Sequence, residues 1–138
     1  GAVETKGNYV DGILQGECIY YYESGEVEQK LNYGEYYQLQ GEAIGYYESG
    51  EVKDKGNYVD GKPQGEFIEY YESGEVETKI NFVDGKLQGE AIGYYESGEV
   101  KDKVNYVDGK RQGEYIVYYE NGKIILIRNY KDGKIIKD

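Results

Sequence analysis

Apolar and polar residues alternate along this chain in short runs, and the runs are punctuated by glycine. In the run that starts at Gly41, Ile44 and Tyr46 share one side with Glu42, while Ala43, Gly45 and Tyr47 fall on the other. In the next run Val52, Asp54, Gly56 and Tyr58 share a side, opposite Lys53, Lys55 and Asn57. A period of two marks a half-buried strand, and no stretch sustains a helical period. Ser-Gly or Asp-Gly separates the runs. Such pairs signal tight hairpin turns, because Gly takes φ > 0 without a Cβ clash. The pattern predicts a meander of short antiparallel strands, about ten or eleven of them. The stripe Ile44, Tyr46, Val52, Tyr58 recurs as Ile19, Tyr21, Val27, Tyr33 and as Ile68, Tyr70, Val76, Phe82, and it is the expected packed face. The face bearing Lys and Asn is the expected wetter one, with glutamates on neighbouring strands as weak partners. Across the Ser-Gly turn, a two-residue and a three-residue loop both fit.

The alternation itself repeats every 24 residues. Aligned on Gly16, Gly41, Gly65, Gly89 and Gly113, the blocks follow G-E-x-I-x-Y-Y-E-S-G-E-V-x-x-K-x-N-Y-V-D-G-K-x-Q. A half repeat (1–15) precedes repeats 16–40, 41–64, 65–88 and 89–112 and a C-terminal capping repeat, 113–138. A fixed period specifies stacked copies of one supersecondary unit. The fold class is thus all-β, an elongated single-layer twisted antiparallel sheet of tandem β-hairpin repeats, roughly 50 Å long at ~4.8 Å per strand. Residues 33–40 (YGEYYQLQ) add one residue and lose the Asp-Gly turn, so a bulge or wider loop is expected there. Blocks 41–64 and 89–112 differ only at Gly56/Val104 and Pro63/Arg111. The positions flanking the repeated Ile alternate in size: Cys18/Tyr20, Ala43/Gly45, Phe67/Glu69, Ala91/Gly93, Tyr115/Val117. Glycine in a strand marks close approach of another backbone or a ligand, so Ala43/Gly45 and Ala91/Gly93 predict two shallow notches. These should lie about ten strand spacings apart or fewer.

Charge narrows the partners. A net charge of −11 argues against nucleic acid and anionic membrane surfaces, both of which reward Lys and Arg. The acidity lies in the repeats, while residues 121–138 carry Lys123, Arg128, Lys131, Lys134 and Lys137 against two aspartates, Asp132 and Asp138. In that last copy Lys123–Arg128 (KIILIR) is apolar on both faces. Ile125 and Ile127 should either fold under the sheet end as a cap or pair with another molecule. With no His, the chain lacks the parts of a Ser-His-Asp or Cys-His centre and of an imidazole metal site. A glutamate row repeated in every copy reads as a solvated face, not a catalytic pair. The turn aspartates Asp60, Asp84 and Asp108 each offer one carboxylate, far short of a Ca²⁺ cage. No cofactor, no metal and no enzyme activity are expected. Lone Cys18, in a slot filled elsewhere by Ala, Phe or Tyr, reads as a small apolar filler. Gly1 corresponds to Gly25, so the chain opens in mid-repeat as a trimmed piece would. Localisation stays open, with a secreted or cell-surface protein ahead of a cytoplasmic one.

The run Y-E-S-G-E-V…N-Y-V-D-G-K-x-Q-G-E, present throughout the chain, resembles the bacterial variant of the MORN repeat (membrane occupation and recognition nexus). The resemblance implies an elongated twisted sheet and a scaffolding or dimerising role. Lipid contact occurs in some eukaryotic members, and the acidity here departs from that pattern. Some bacterial members are labelled antitoxin-like and others are surface or secreted proteins. The residues that invite binding are Tyr22, Tyr47, Tyr71, Tyr95 and Tyr119, opposite the expected packed stripe, with Ala43, Gly45, Ala91 and Gly93 beside them. A row of half-exposed aromatics suits a protein partner or sugar rings; alternatively it shields and stiffens the second face of a thin sheet. The expectation is a non-enzymatic scaffold that binds protein through a tyrosine-bearing face. A carbohydrate or cell-wall module and an antitoxin-like partner of a toxin are the alternatives. Choline-type wall repeats rely on Trp, which this chain lacks.

Overall fold

The structure, a computed structural model, describes residues 5–136; the first four residues of the half repeat and the last two of the basic tail lie outside it. One antiparallel sheet accounts for the fold. Its strands are β1 (Thr5–Val10), β2 (Ile13–Tyr21), β3 (Val27–Tyr33), β4 (Gly41–Tyr46), β5 (Val52–Val59), β6 (Lys62–Pro63), β7 (Gly65–Tyr70), β8 (Val76–Val83), β9 (Lys86–Leu87), β10 (Gly89–Tyr94), β11 (Val100–Val107), β12 (Lys110–Tyr118), β13 (Ile124–Lys131) and β14 (Lys134–Ile135). The main path runs β1-β2-β3-β4-β5-β7-β8-β10-β11-β12-β13-β14, with β6 on β5 and β9 on β8. β6 and β9 are the leading ends of strands broken at Gln64 and Gln88; the equivalent stretches run on without a break in β2 and β12. The path is one strand longer than the upper expectation, the two-residue β14 being the addition.

Both turn types follow from their glycines. Asp60 and Gly61 have φ of 49° and 79°, the two left-handed residues of a type I′ hairpin, and the other Asp-Gly turns repeat this. The Ser-Gly turn is a three-residue loop. Gly50 N donates to Tyr47 O and Tyr47 N donates to Glu51 O, both at 2.9 Å, with Gly50 left-handed at φ 95°. At 33–40 the extra residue makes a wider loop with a 3-10 turn over Glu35–Tyr37, held by Gly34 N donating to Gln38 O at 2.8 Å. Tyr36 and Tyr37 take left-handed φ of 58° and 61°, unusual for bulky residues.

The register corrects the expected packed stripe. Ile44 lies opposite Lys55 and Gly41 opposite Tyr58, so Tyr58 falls on the side of Ala43 and Gly45, not of Ile44. Lys53 is an extra residue in β5, between the pairs Gly45↔Asp54 and Tyr46↔Val52, and this bulge returns Val52 to the side of Tyr46. One face therefore carries an alternating Ile–Lys ladder: Ile19↔Lys30, Lys30↔Ile44, Ile44↔Lys55, Lys55↔Ile68, Ile68↔Lys79, continuing to Lys103↔Ile116. The lysines are not on a separate wet face. Their stems lie along apolar neighbours, and Lys30, Lys55 and Lys103 hold their ammonium groups 5.8–5.9 Å from the rings of Tyr46, Tyr70 and Tyr118. The best-buried apolar side chains, Cys18 (0% exposed) and Val104 (7%), sit on the opposite, aromatic face.

Neighbouring repeats are sewn together by the K-x-Q segment. Gln40, Gln64, Gln88 and Gln112 each accept, through Oε1, from the backbone N–H of the Asp in the next Asp-Gly turn, at 2.7–3.0 Å. The adjacent Gly61, Gly109 and Gly133 donate to the carbonyls of Leu39, Leu87 and Arg111 at 2.8–2.9 Å. The consensus Gln is thus an acceptor for the following copy's turn. At the far end, Ile125 and Ile127 do not fold under the sheet. They are 47% and 41% exposed on β13, which meets β14 only at Tyr130 and Lys131. Burial under the end would need a second layer, which a single sheet does not supply.

Candidate binding face

Tyr22, Tyr47, Tyr71 and Tyr95 follow the ends of β2, β4, β7 and β10 and enter the Ser-Gly turns. Each phenol donates one repeat onward to a strand-end carbonyl: Tyr22 to Tyr46 O (2.5 Å), Tyr47 to Tyr70 O (2.6 Å), Tyr71 to Tyr94 O (2.6 Å), Tyr95 to Tyr118 O (2.7 Å). Their rings remain half-exposed while their hydroxyls are committed within the array. Tyr119 ends the series at 53% exposure. Burial and then nearby carboxylates push up the pKa of Tyr22, Tyr47 and Tyr71; for Tyr47 the carboxylates are Glu77, Glu72, Asp54 and Glu69. Lys53 and Lys101 hold their ammonium groups 5.9 Å from the rings of Tyr47 and Tyr95.

Ala43 and Gly45 on β4, and Ala91 and Gly93 on β10, occupy the aromatic face four strand steps apart along β4-β5-β7-β8-β10. In both notches the Asp across the strand covers the glycine: a Cβ on Gly45 would collide with the Asp54 carboxylate, and one on Gly93 with that of Asp102. The two notches then diverge. Beside Ala43 and Gly45 lies an open hollow of about 470 Å³ whose walls include Asp54, Gly56, Tyr58, Phe67, Glu69 and Phe82. Phe67 meets Tyr58 and Phe82 edge to face, with ring centroids 5.5 and 5.1 Å apart. Phe67 also lies down on Gly56, where any Cβ would overlap its ring.

Beside Ala91 and Gly93 the equivalent space holds the chain's own side chains. Val104 replaces Gly56, and Arg111 replaces Pro63. The Arg111 guanidinium lies 5.5 and 5.2 Å from the ring centroids of Tyr115 and Tyr130. It donates from Nε to Tyr106 Oη at 3.4 Å and from Nη1 to Tyr130 Oη at 3.1 Å. Tyr115 in turn donates to Asp102 Oδ2 at 3.4 Å, and burial together with that carboxylate raises its pKa.

Comparison with protein families matches the MORN repeat variant over residues 14–34, 39–60, 63–84, 87–108 and 111–132. The chain belongs to the MORN repeat variant family. The five matched segments run from the hairpin after the half repeat to the last Asp-Gly turn, so this MORN array is continuous along the sheet. Membership suggests a repeat scaffold, and MORN repeat proteins are generally non-enzymatic. No curated protein matches the chain. Among solved structures, a chain of the GtfA/B complex bound to UDP and GlcNAc is similar at 12% identity and a TM-score of 0.35. That likeness covers 91% of this chain and 23% of the other, so the MORN array spans about a quarter of that chain's length. At so low a score the likeness carries no argument about fold or activity.

Sequence reasoning expected two shallow notches beside the tyrosine row; an open hollow lies at Ala43 and Gly45, while the site at Ala91 and Gly93 holds the chain's own side chains. That reasoning did not place Asp54, Glu69, Tyr58, Phe67 and Phe82 around one hollow, because that depends on which residues pair across β5, β7 and β8. A signal was nonetheless present. The two positions that separate the near-identical blocks, Gly56/Val104 and Pro63/Arg111, both belong to this site, with Gly56 and Pro63 lining the open hollow.

Proposed function

We propose that this MORN array is a non-enzymatic scaffold whose aromatic face binds a protein partner. What supports the reading most is the open hollow beside Ala43 and Gly45, on the face that also carries Tyr58, Phe67 and Phe82. Half-buried aromatic rings on a rigid sheet give contact area at low entropic cost. The Ile–Lys face offers a regular ladder of lysines instead, and the ladder hydroxyls of Tyr47 and its equivalents are already used within the array. Contact through the ladder would therefore be by ring faces. Self-association through the exposed edge of β13 is a second mode, favoured by Ile125 and Ile127; in it, Ile125→Lys would abolish concentration-dependent dimers in sedimentation.

A face-by-face comparison tests the reading. The partner is captured with wild-type chain and with two variant sets, Asp54→Lys with Glu69→Lys on the aromatic face and Lys55→Glu with Lys103→Glu on the other. Loss of the captured protein with the first set alone supports it. Loss with the second set alone, or with neither, refutes it.

A further inference from the structure

Two copies of one sequence block solve the same site in two ways. In the later copy, Arg111 spans Tyr115 and Tyr130 and donates to the phenol oxygens of Tyr106 and Tyr130. In the earlier copy the ring positions are kept as Tyr58, Phe67 and Phe82, but Pro63 ends too short to reach over them. The acid pattern also changes. Asp54 lies directly opposite Glu69, whereas the corresponding pair in the later copy is Asp102 and Val117. Two carboxylates facing each other across strands repel, and a cation set between them offsets that cost. The open hollow thus has the rings of the filled one and one more negative charge, without the cation.

We propose that this hollow receives an arginine side chain from an extended segment of a partner protein, seated as Arg111 is seated in the other copy. Arginine fits better than lysine because a planar guanidinium can lie flat on one ring of the edge-to-face Phe67–Phe82 pair and still donate in plane toward Tyr58 or the carboxylates of Asp54 and Glu69. The inference rests on the aromatic face being the protein-binding face. The net charge of −11 favours a basic partner segment. The chain has two arginines of its own: Arg111 is engaged at Tyr106 and Tyr130, and Arg128 lies on β13 with Nη1 donating to Ile127 O.

The test titrates the full chain with a blocked Ala-Arg-Ala tripeptide and with its citrulline counterpart, followed by amide chemical shifts. Expected are saturating shifts at Gly56, Phe67, Glu69 and Phe82, with the citrulline peptide about fivefold weaker. Glu69→Gln weakens arginine binding. Pro63→Arg abolishes it, because the chain then supplies its own guanidinium; position 63 already varies as Leu39, Leu87 and Arg111 in other copies, so that variant folds. Absent shifts, an equal response to citrulline, or an undiminished response in Pro63→Arg would each overturn the proposal. Self-association of the wild type that Arg128→Gln removes would make a second copy the source of the guanidinium and overturn the separate partner. No peptide response with face-dependent capture intact sinks only the arginine assignment. Capture indifferent to the face sinks the scaffold reading whatever the peptide does.

Discussion

Replacing Tyr47 by Phe removes one hydroxyl and leaves the ring, so it isolates the bond from Tyr47 to the Tyr70 carbonyl. That bond is 2.6 Å long, half-buried, and joins one repeat to the next. A hydrogen bond of this kind contributes about 1 kcal/mol net to folding, and Tyr47→Phe should lose that amount. Tyr119→Phe is the internal control. Its phenol donates to no carbonyl among the described residues and is 53% exposed, so its loss should be near zero. Tyr47→Phe with Tyr71→Phe touches two successive steps through separate acceptors, Tyr70 and Tyr94, and should cost about 2 kcal/mol. Urea unfolding followed by far-UV circular dichroism measures each loss as a shift in midpoint at unchanged slope. If Tyr47→Phe and Tyr119→Phe agree within about 0.3 kcal/mol, the ladder hydroxyls do not couple the repeats and the reasoning fails.

Three further outcomes follow from the same geometry. Gln88→Ala removes the acceptor of Asp108 N (2.9 Å) at an exposed turn and should cost about 0.5–1 kcal/mol by urea unfolding, while Glu90→Ala stays near neutral. Deleting residues 41–88 joins Gln40 to Gly89 in register and lets Tyr22 donate to Tyr94 O. The shorter chain should keep a cooperative β-sheet spectrum at lower stability, and a random-coil spectrum would contradict a nearest-neighbour array. Alkaline titration should also be one-sided. The Tyr22, Tyr47 and Tyr71 phenols titrate above their unfolded value of ~10, so their contribution is complete below that pH and is lost as pH rises through the folded values. Unfolding midpoints should hold through neutral pH and fall above ~10, and the fall should shrink in Tyr47→Phe with Tyr71→Phe.

Much of the fold is legible because it is local. Asp60-Gly61 and its equivalents dictate type I′ turns with their neighbours alone, and period-two alternation needs no distant contact to declare a strand. The split of the Ile/Tyr/Val/Tyr stripe was not legible. A single bulge residue, Lys53, returns Val52 to the side of Tyr46, and the pairing of Gly41 with Tyr58 places Tyr58 on the other face. One residue of register moves a side chain across the sheet, and nothing in the alternation records it.

The repeat period, the hairpins, the tyrosine row and the alternation between two repeat types are properties of the chain read in order, since each follows from backbone preferences within a few residues. What the tyrosines do is decided in space. Tyr47 and Tyr70 are 23 positions apart, and only stacking of one hairpin on the next brings the phenol to the carbonyl. The hollow is likewise a product of packing. Gly56, Pro63 and Phe82 become one wall through pairing across β5, β7 and β8, so residues scattered in sequence become the lining of one site.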